Sequence, residues 1–377
     1  MLNRRDFLKF SAAVAALSPL SAVRAQSSST DSSSEVSGAN SLRAHADQHG
    51  LLVGCAVAPE RLANDAQYAA LVAAQTNLLV AENAMKWYAL RPALDKFDFT
   101  AADAILAFAQ SHNQKLRGHN LCWHEALPNW FASTVTKGNA SQILTNHIET
   151  VAGHFAGKLH SWDVVNEAID PASPRPDGLR ASPWLELAGE DYIELAFRTA
   201  RQADPKALLT YNDYGIELDT PKQADKRAKV LALVQRLHKS GIIDAVGVQS
   251  HLSAGDDVSS SGLRDFVREL HGMGLQVFVT ELDVNTQKAQ GTVADRDAEV
   301  AHIYREYLTH MLAEPNVTAV LTWGITDRYT WLNSPRYARP DGQPQRPLPF
   351  DSDYKPTPAF FVECAALDSR SAAGSRS

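Results

Sequence analysis

From about Leu51 to Trp323, short apolar runs rich in Val, Ile and Leu alternate with longer segments whose apolar positions recur every three or four residues. Short runs bounded by polar residues read as buried strands, and the longer period reads as amphipathic helix. The pattern predicts strands at Leu51–Val57, Asn77–Glu82, Lys115–Leu121, Ser161–Asn166, Ala207–Tyr211, Ile243–Val248, Leu275–Thr280 and Val317–Trp323. Between them, Pro59 and the alanine-rich run to Gln75 predict one helix with proline in its first turn. Thr100 and Asp103 predict a capping box, and Ser141–Lys158 a further helix. Ile193, Ala196, Phe197 and Ala200 fall on one face of the helix after the fourth strand. Strands and helices that alternate eight times without a break indicate the α/β class and a single (β/α)8 TIM barrel over residues 46–368.

The polarity of each apolar run changes abruptly at its end. Ser161-Trp162-Asp163-Val164-Val165 closes on Asn166-Glu167, and Val277-Phe278-Val279-Thr280 closes on Glu281-Leu282-Asp283. The other runs end at Glu82-Asn83 with Lys86 close behind, at His119, Trp123 and His124, at Asn212, Asp213 and Tyr214, at Gln249 and His251, and at Trp323. In a barrel of this kind the C-terminal strand ends face the active site. Amides, carboxylates and indoles gathered there suit a neutral polyhydroxylated ligand, bonded through its hydroxyls and stacked on aromatic faces. Two strand-end glutamates from distant parts of the chain match the paired carboxylates of glycoside hydrolysis. The long loop after the last strand adds Tyr329, Trp331 and Tyr337 as aromatics that can line a groove or pack within the loop.

Composition narrows this picture without redirecting it. A chain of 377 residues with 45% hydrophobic residues can bury a large core. A net charge of −7 with no basic stripe argues against nucleic acid. Cys55, Cys122 and Cys364 show no zinc-like spacing, and the first two sit in apolar runs, as buried free thiols would. Residues 1–25 read as an export signal, because Arg4-Arg5 precede an alanine-rich apolar stretch that ends near Ala25. Cleavage there removes four basic and one acidic residue and takes the net charge to −10. The Ser-rich residues 26–45 and the end at 369–377 are expected to be disordered.

Six stretches carry a specific resemblance. Glu82-Asn83-Ala84-Met85-Lys86-Trp87, Arg117-Gly118-His119-Asn120-Leu121-Cys122-Trp123-His124, Trp162–Glu167, Gln249-Ser250-His251, Thr280–Asp283 and Thr322–Asp327 resemble, in order, the signatures of family 10 glycoside hydrolases, the endo-β-1,4-xylanases. The resemblance spans about residues 50–365 and implies Glu167 as acid/base and Glu281 as nucleophile. It implies Glu82, Asn83, Lys86, His119, Trp123, Asn166, Gln249, His251, Trp323 and Trp331 as substrate-binding residues and His251, Asp283 and Asn212 as orienting residues, His251 and Asp283 for Glu281. Xylan and xylo-oligosaccharides are then the partners, and no cofactor, metal, nucleic acid or membrane anchor is expected of a monomer exported by the twin-arginine route. A retaining mechanism needs the carboxyl groups about 5–5.5 Å apart, one ionised and one protonated.

Three other readings compete. His119, His124, His251, Glu281 and Asp283 could gather a metal ion, but no His-x-His or His-Glu-x-x-His pair supports it. A carbohydrate-binding barrel without catalysis would not need both glutamates. A β-1,4-glucan substrate differs from xylan by one hydroxymethyl group per sugar, with Lys86 and Trp331 the positions to crowd it.

Overall fold

The structure, a computed structural model, describes residues 36–370; the expected signal and the first part of the linker lie outside the described residues, as do the last seven residues. Among the described residues nine strands form in chain order: β1 (Leu52–Val57), β2 (Leu78–Ala81), β3 (Lys115–Cys122), β4 (Ser161–Asn166), β5 (Leu208–Asp213), β6 (Ala245–Val248), β7 (His251–Ser253), β8 (Gln276–Asn285) and β9 (Val317–Thr322). All pairs are parallel. β1 to β6 bond successively, β9 bonds both β1 and β8, and β6 pairs with β8, so eight strands close into a barrel. β7 stands outside that circuit, paired only with the far end of β8.

The strands are buried on both faces, which explains their nearly continuous apolar runs. Inside the barrel lie Ala56, Leu78, Val80, Ala245, Phe278, Ala319 and Leu321. The alternate residues Val57, Leu79, Ala81, Val246 and Val320 join the larger core shared with the helices. In the outer layer Gly118 on β3 makes room for the indole of its β4 neighbour Trp162, because a Cβ there would meet the ring at 2.1 Å. Ile193, Ala196, Phe197 and Ala200 are all buried on their helix, Tyr192–Ala203, as their spacing predicts. The three cysteines are buried and free.

Several local expectations are corrected. The helix expected from Pro59 to Gln75 is two, Pro59–Asn64 and Ala66–Gln75, because Asp65 turns extended and caps the second through Tyr68 N. Thr100 does not cap its helix: Phe99 occupies that position, and Thr100 N donates to Asp98 Oδ1 at 3.0 Å. A capping box forms instead at Thr292 and Asp295. Residues 36–45, expected as disordered linker, hold a short 3-10 turn at Gly38–Asn40 and the start of helix Leu42–Gln48. Burial of Val36 and Leu42 anchors them, and the Gln75 side chain bonds both Val36 O and Leu42 N. At the other end Arg370, expected in the tail, bonds the carbonyls of Pro315 and Val317.

The packing of Gly118 against Trp162 yields a stability test. Gly118→Ala should lower unfolding free energy by about 1–3 kcal/mol or more, the range of core overpacking. In a Trp162→Leu background the same change should cost clearly less. Equal costs in the two backgrounds, read from denaturant midpoints, would show that the ring is not the obstacle.

Candidate active site

The C-terminal strand ends surround a cleft of ≈ 730 Å³ lined by residues of the barrel and its loops, among them Lys86, His119, Trp123, Asn166, Glu167, Gln249, His251, Glu281, Trp323 and Trp331. Sequence-predicted residues from four strands, β3, β4, β7 and β8, and from the loops after β2, β3, β4, β6 and β9 therefore meet in one cavity. Asn212 and Asp283 lie just behind its wall, and Glu82 and Asn83 stand beside Lys86 at the end of β2.

A shared amide network joins the two glutamates. Asn212 Nδ2 donates to Glu281 Oε1 at 2.8 Å and to Asn166 Oδ1 at 2.9 Å, while its own Oδ1 accepts from Thr280 Oγ1 at 2.8 Å. Asn166 Nδ2 donates to Glu167 Oε1 at 3.1 Å, and Gln249 Nε2 donates to the same oxygen at 3.0 Å. Gly247 on β6 makes room for this network, because a Cβ there would lie 2.2 Å from Asn212 Oδ1. Glu167 and Ser250, at the ends of β4 and β6, have left-handed backbones with φ of 56° and 66°. Such conformations cost a non-glycine residue roughly 1–3 kcal/mol and persist only where the surroundings hold them.

The electrostatics divide the pair. Burial pushes the Glu281 carboxyl up, but hydrogen bonds from His251 and Asn212 and the charges of His119 and His251 outweigh it, and its pKa falls to about 2. Glu167 goes the other way: burial raises it, the nearby charges of Asp213 and Glu281 add to that, and the bond from Gln249 offsets only part. One carboxylate is thus held ionised and the other is biased towards its protonated form. His251 stands between two acids, with Nδ1 2.9 Å from Asp283 Oδ1 and Nε2 3.3 Å from Glu281 Oε2. Burial alone would discharge its imidazolium, but these two carboxylates outweigh burial and raise its pKa well above the ordinary value.

The walls supply orientation. Trp331 Nε1 donates to Asp283 Oδ2 at 2.6 Å, and Tyr337 packs edge-on against Trp331 with centroids 4.7 Å apart. Tyr337 therefore both packs within its loop and lines the cleft. The Lys86 ammonium lies 5.2 Å from the Trp123 ring and 5.9 Å from the Trp323 ring, and donates to Asn83 Oδ1 at 3.0 Å. Burial lowers its pKa against the pull of Glu281 and Glu82. Glu82 accepts from Arg61 Nη1 at 2.7 Å. His119 Nδ1 bonds Asp163 Oδ2 at 2.9 Å, and Asp163 is also paired with Arg117 inside the barrel.

The Arg117–Asp163 pair was missed as support for His119, although a charge inside each of two apolar runs was its visible signal. Glu217, which accepts from Ser250 N at 3.0 Å, and Lys226, paired with Asp213 at 2.7 Å, gave no comparable signal in their own segments. Among the described residues no cluster of three or more His, Cys, Asp or Glu has the geometry of a metal site.

A model of glycosyl hydrolase family 10 matches residues 41–366. A model of the twin-arginine translocation signal sequence matches residues 1–18, which supports export by that route. The chain is 36% identical over 326 residues to endo-1,4-beta-xylanase A of Thermoanaerobacterium saccharolyticum, covering 82% of this chain and 26% of that protein. It is equally identical over 326 residues to exoglucanase XynX of Acetivibrio thermocellus, covering 82% and 28%. The chain thus spans about a quarter of the length of these relatives. The crystal structure of xylanase 10B from Thermotoga petrophila RKU-1 in complex with xylobiose superposes with a TM-score of 0.79 at 32% identity, over 87% of this chain and 97% of that one.

The charges around His251 can be checked by nitrogen-detected NMR of the imidazoles. His251 should remain an imidazolium through pH 7. His124, whose pKa burial lowers to about 4, should be neutral there. Because the folded pKa of His251 is raised, its contribution to stability is full below about 6.5, the unfolded value, and is lost as pH rises through the folded one. Glu281→Gln should bring the His251 pKa down; a wild-type His251 titrating near 6.5 would contradict this electrostatic picture.

Proposed function

The chain belongs to glycosyl hydrolase family 10, and from that premise we propose that it is an endo-1,4-β-xylanase, cleaving internal β-1,4-xylosidic bonds of xylan with retention through a covalent glycosyl-enzyme. The observation that carries the reading is the pair of cleft glutamates joined through Asn212 and Asn166, with Glu281 also met by His251 and Glu167 by Gln249. A similar xylanase solved with xylobiose and a relative named as an endo-1,4-beta-xylanase support the substrate class.

In the first step the ionised Glu281 attacks the anomeric carbon as Glu167 gives its proton to the departing glycosidic oxygen. An ester bond forms to Glu281, the glycosidic bond breaks, and Glu167 is left as a carboxylate. In the second step Glu167 takes a proton from water, whose oxygen attacks the anomeric carbon and releases Glu281. His251 and Asp283 orient Glu281, with His251 as the donor. Asn212 bonds the same carboxylate and fixes Asn166, which keeps an amide N–H for the sugar 2-hydroxyl. Glu82, Asn83, Lys86, His119, Trp123, Gln249, Trp323 and Trp331 bind the sugar chain. One chain supplies every group named, so a monomer suffices, acting in the periplasm or outside the cell.

A second reading keeps this chemistry on β-1,4-glucan, favoured by the similarity to a protein named exoglucanase XynX. Reducing-sugar release from xylan against soluble cellulose decides between them, and xylan is expected to be preferred strongly.

The two glutamates separate kinetically. Glu281→Ala should leave almost no activity, and azide should then give a product of inverted configuration. Glu167→Ala should cost about 10²–10⁴-fold on unactivated substrates. The same variant should spare the first step on an aryl xylobioside with an activated phenol, and azide should restore turnover with retention. Activity should fall as pH drops towards about 2, where Glu281 protonates, and again as pH rises through the elevated pKa of Glu167. Inversion by the wild type, or rescue patterns exchanged between the variants, would overturn the assignment.

A further inference from the structure

We propose that Arg180 is a positioning residue for leaving-group protonation: it fixes the backbone of Glu167 and ties it to the cleft aromatic Tyr214. The proposal rests on the assignment of Glu167 as proton donor.

Glu167 needs such a brace because its left-handed backbone, φ 56°, is unfavourable for a side-chain-bearing residue. Its peptide is held from both ends. Glu167 N donates to Asn212 O at 2.9 Å, and Glu167 O accepts from Arg180 Nε at 2.8 Å. Three of the remaining four N–H groups of the guanidinium are also engaged. Nη1 donates to Asp170 Oδ2 at 3.3 Å, and Nη2 donates to Ile169 O at 3.4 Å and to the Tyr214 hydroxyl at 3.1 Å.

The loop itself is shaped to deliver this side chain. Ile169 bridges Leu179, and Arg180 N donates to Ala168 O at 2.7 Å, so residues 168–180 double back on the strand end that carries Glu167. Tyr214 lines the cleft and is 40% exposed, open to a ligand. The Lys226 ammonium lies 3.9 Å from its ring centroid, and that ammonium is itself fixed by Asp213. One planar fork therefore bonds the backbone of the acid, the loop behind it and a ligand-facing ring. A lysine cannot copy this, because its ammonium lacks the fixed in-plane spread of donors.

The consequence is selective. A displaced Glu167 harms the first step only where the leaving oxygen must be protonated as it departs, and slows the second step, where it acts as base, on every substrate. Arg180→Lys should reduce kcat/KM on a linear xylo-oligosaccharide by about 10–100-fold, the scale of an ångström-level misplacement. On a dinitrophenyl xylobioside, whose phenol departs without help, kcat/KM should change by less than about 3-fold. On that substrate kcat and KM should fall together, because the slowed second step lets the glycosyl-enzyme accumulate.

A purely structural role would lower both substrates alike, and equal losses, or none, in a folded Arg180→Lys enzyme would overturn the proposal. Should that variant not fold, Tyr214→Phe removes one of the bonds and keeps the ring. It should show the same bias at a smaller ratio, and an unbiased loss or no loss would overturn the proposal as well. A wild-type enzyme inactive on both substrates would instead refute the xylanase reading itself.

Discussion

The side chain of Asn212 is the interaction on which the site depends. One amide nitrogen on β5 donates to Glu281 on β8 and to Asn166 on β4, and the oxygen of the same amide is held by Thr280. Three strand ends are thereby fixed relative to one another by a fully satisfied buried amide, the arrangement in which polar groups inside a protein are rigid rather than costly. The barrel makes this possible, because closure forces the C-terminal ends of parallel strands to converge. Gly247 completes it by leaving the volume that Asn212 occupies. The position of each carboxyl is consequently a property of the fold, and loop contacts such as that of Arg180 refine it.

Burial acts on both glutamates in the same direction, so their divergence comes from what each one bonds. Glu281 meets an imidazolium and an amide donor and stays ionised in spite of its burial. Glu167 meets amide donors and two negative neighbours, and its burial prevails. His251 is the hinge of this division, since its charge is itself kept by Asp283 and Glu281. Asp283 in turn is anchored by the Trp331 indole from the last long loop. The aromatic wall and the charge on Glu281 are therefore parts of one chain of contacts.

Much of this was legible in the sequence, because the information was local. An apolar run that closes on Asn166-Glu167 or Glu281-Leu282-Asp283 marks both a buried strand and the place where it meets the cleft. Boundaries failed where a distant partner decides them. The strand expected to end at Thr280 continues to Asn285, since β7 pairs with its polar end. Asp65 breaks a helix that its alanine-rich sequence favours, and there it also accepts from Tyr329, more than two hundred residues away, at 2.7 Å. Thr100 satisfied the spacing of a capping box, yet Asp98 meets its N–H first. Residues 36–45 looked like linker by composition, and their order comes from the burial of Val36 and Leu42 and from the distant side chain of Gln75. Arg180 has no strand-end signature at all; its role arises from a loop that folds back.

The free protein is expected to hold Glu281 ionised and Glu167 protonated to an unusual degree. Carbon-13 NMR of glutamate carboxyls, assigned with Glu167→Gln and Glu281→Gln, measures this directly. Glu281 should titrate at about 2 and Glu167 above the ordinary glutamate value. Because burial is the leading cause of the Glu167 shift, part of its elevation should survive in Glu281→Gln. Two carboxyls that both titrate near 4.5, or in the reverse order, would contradict the account.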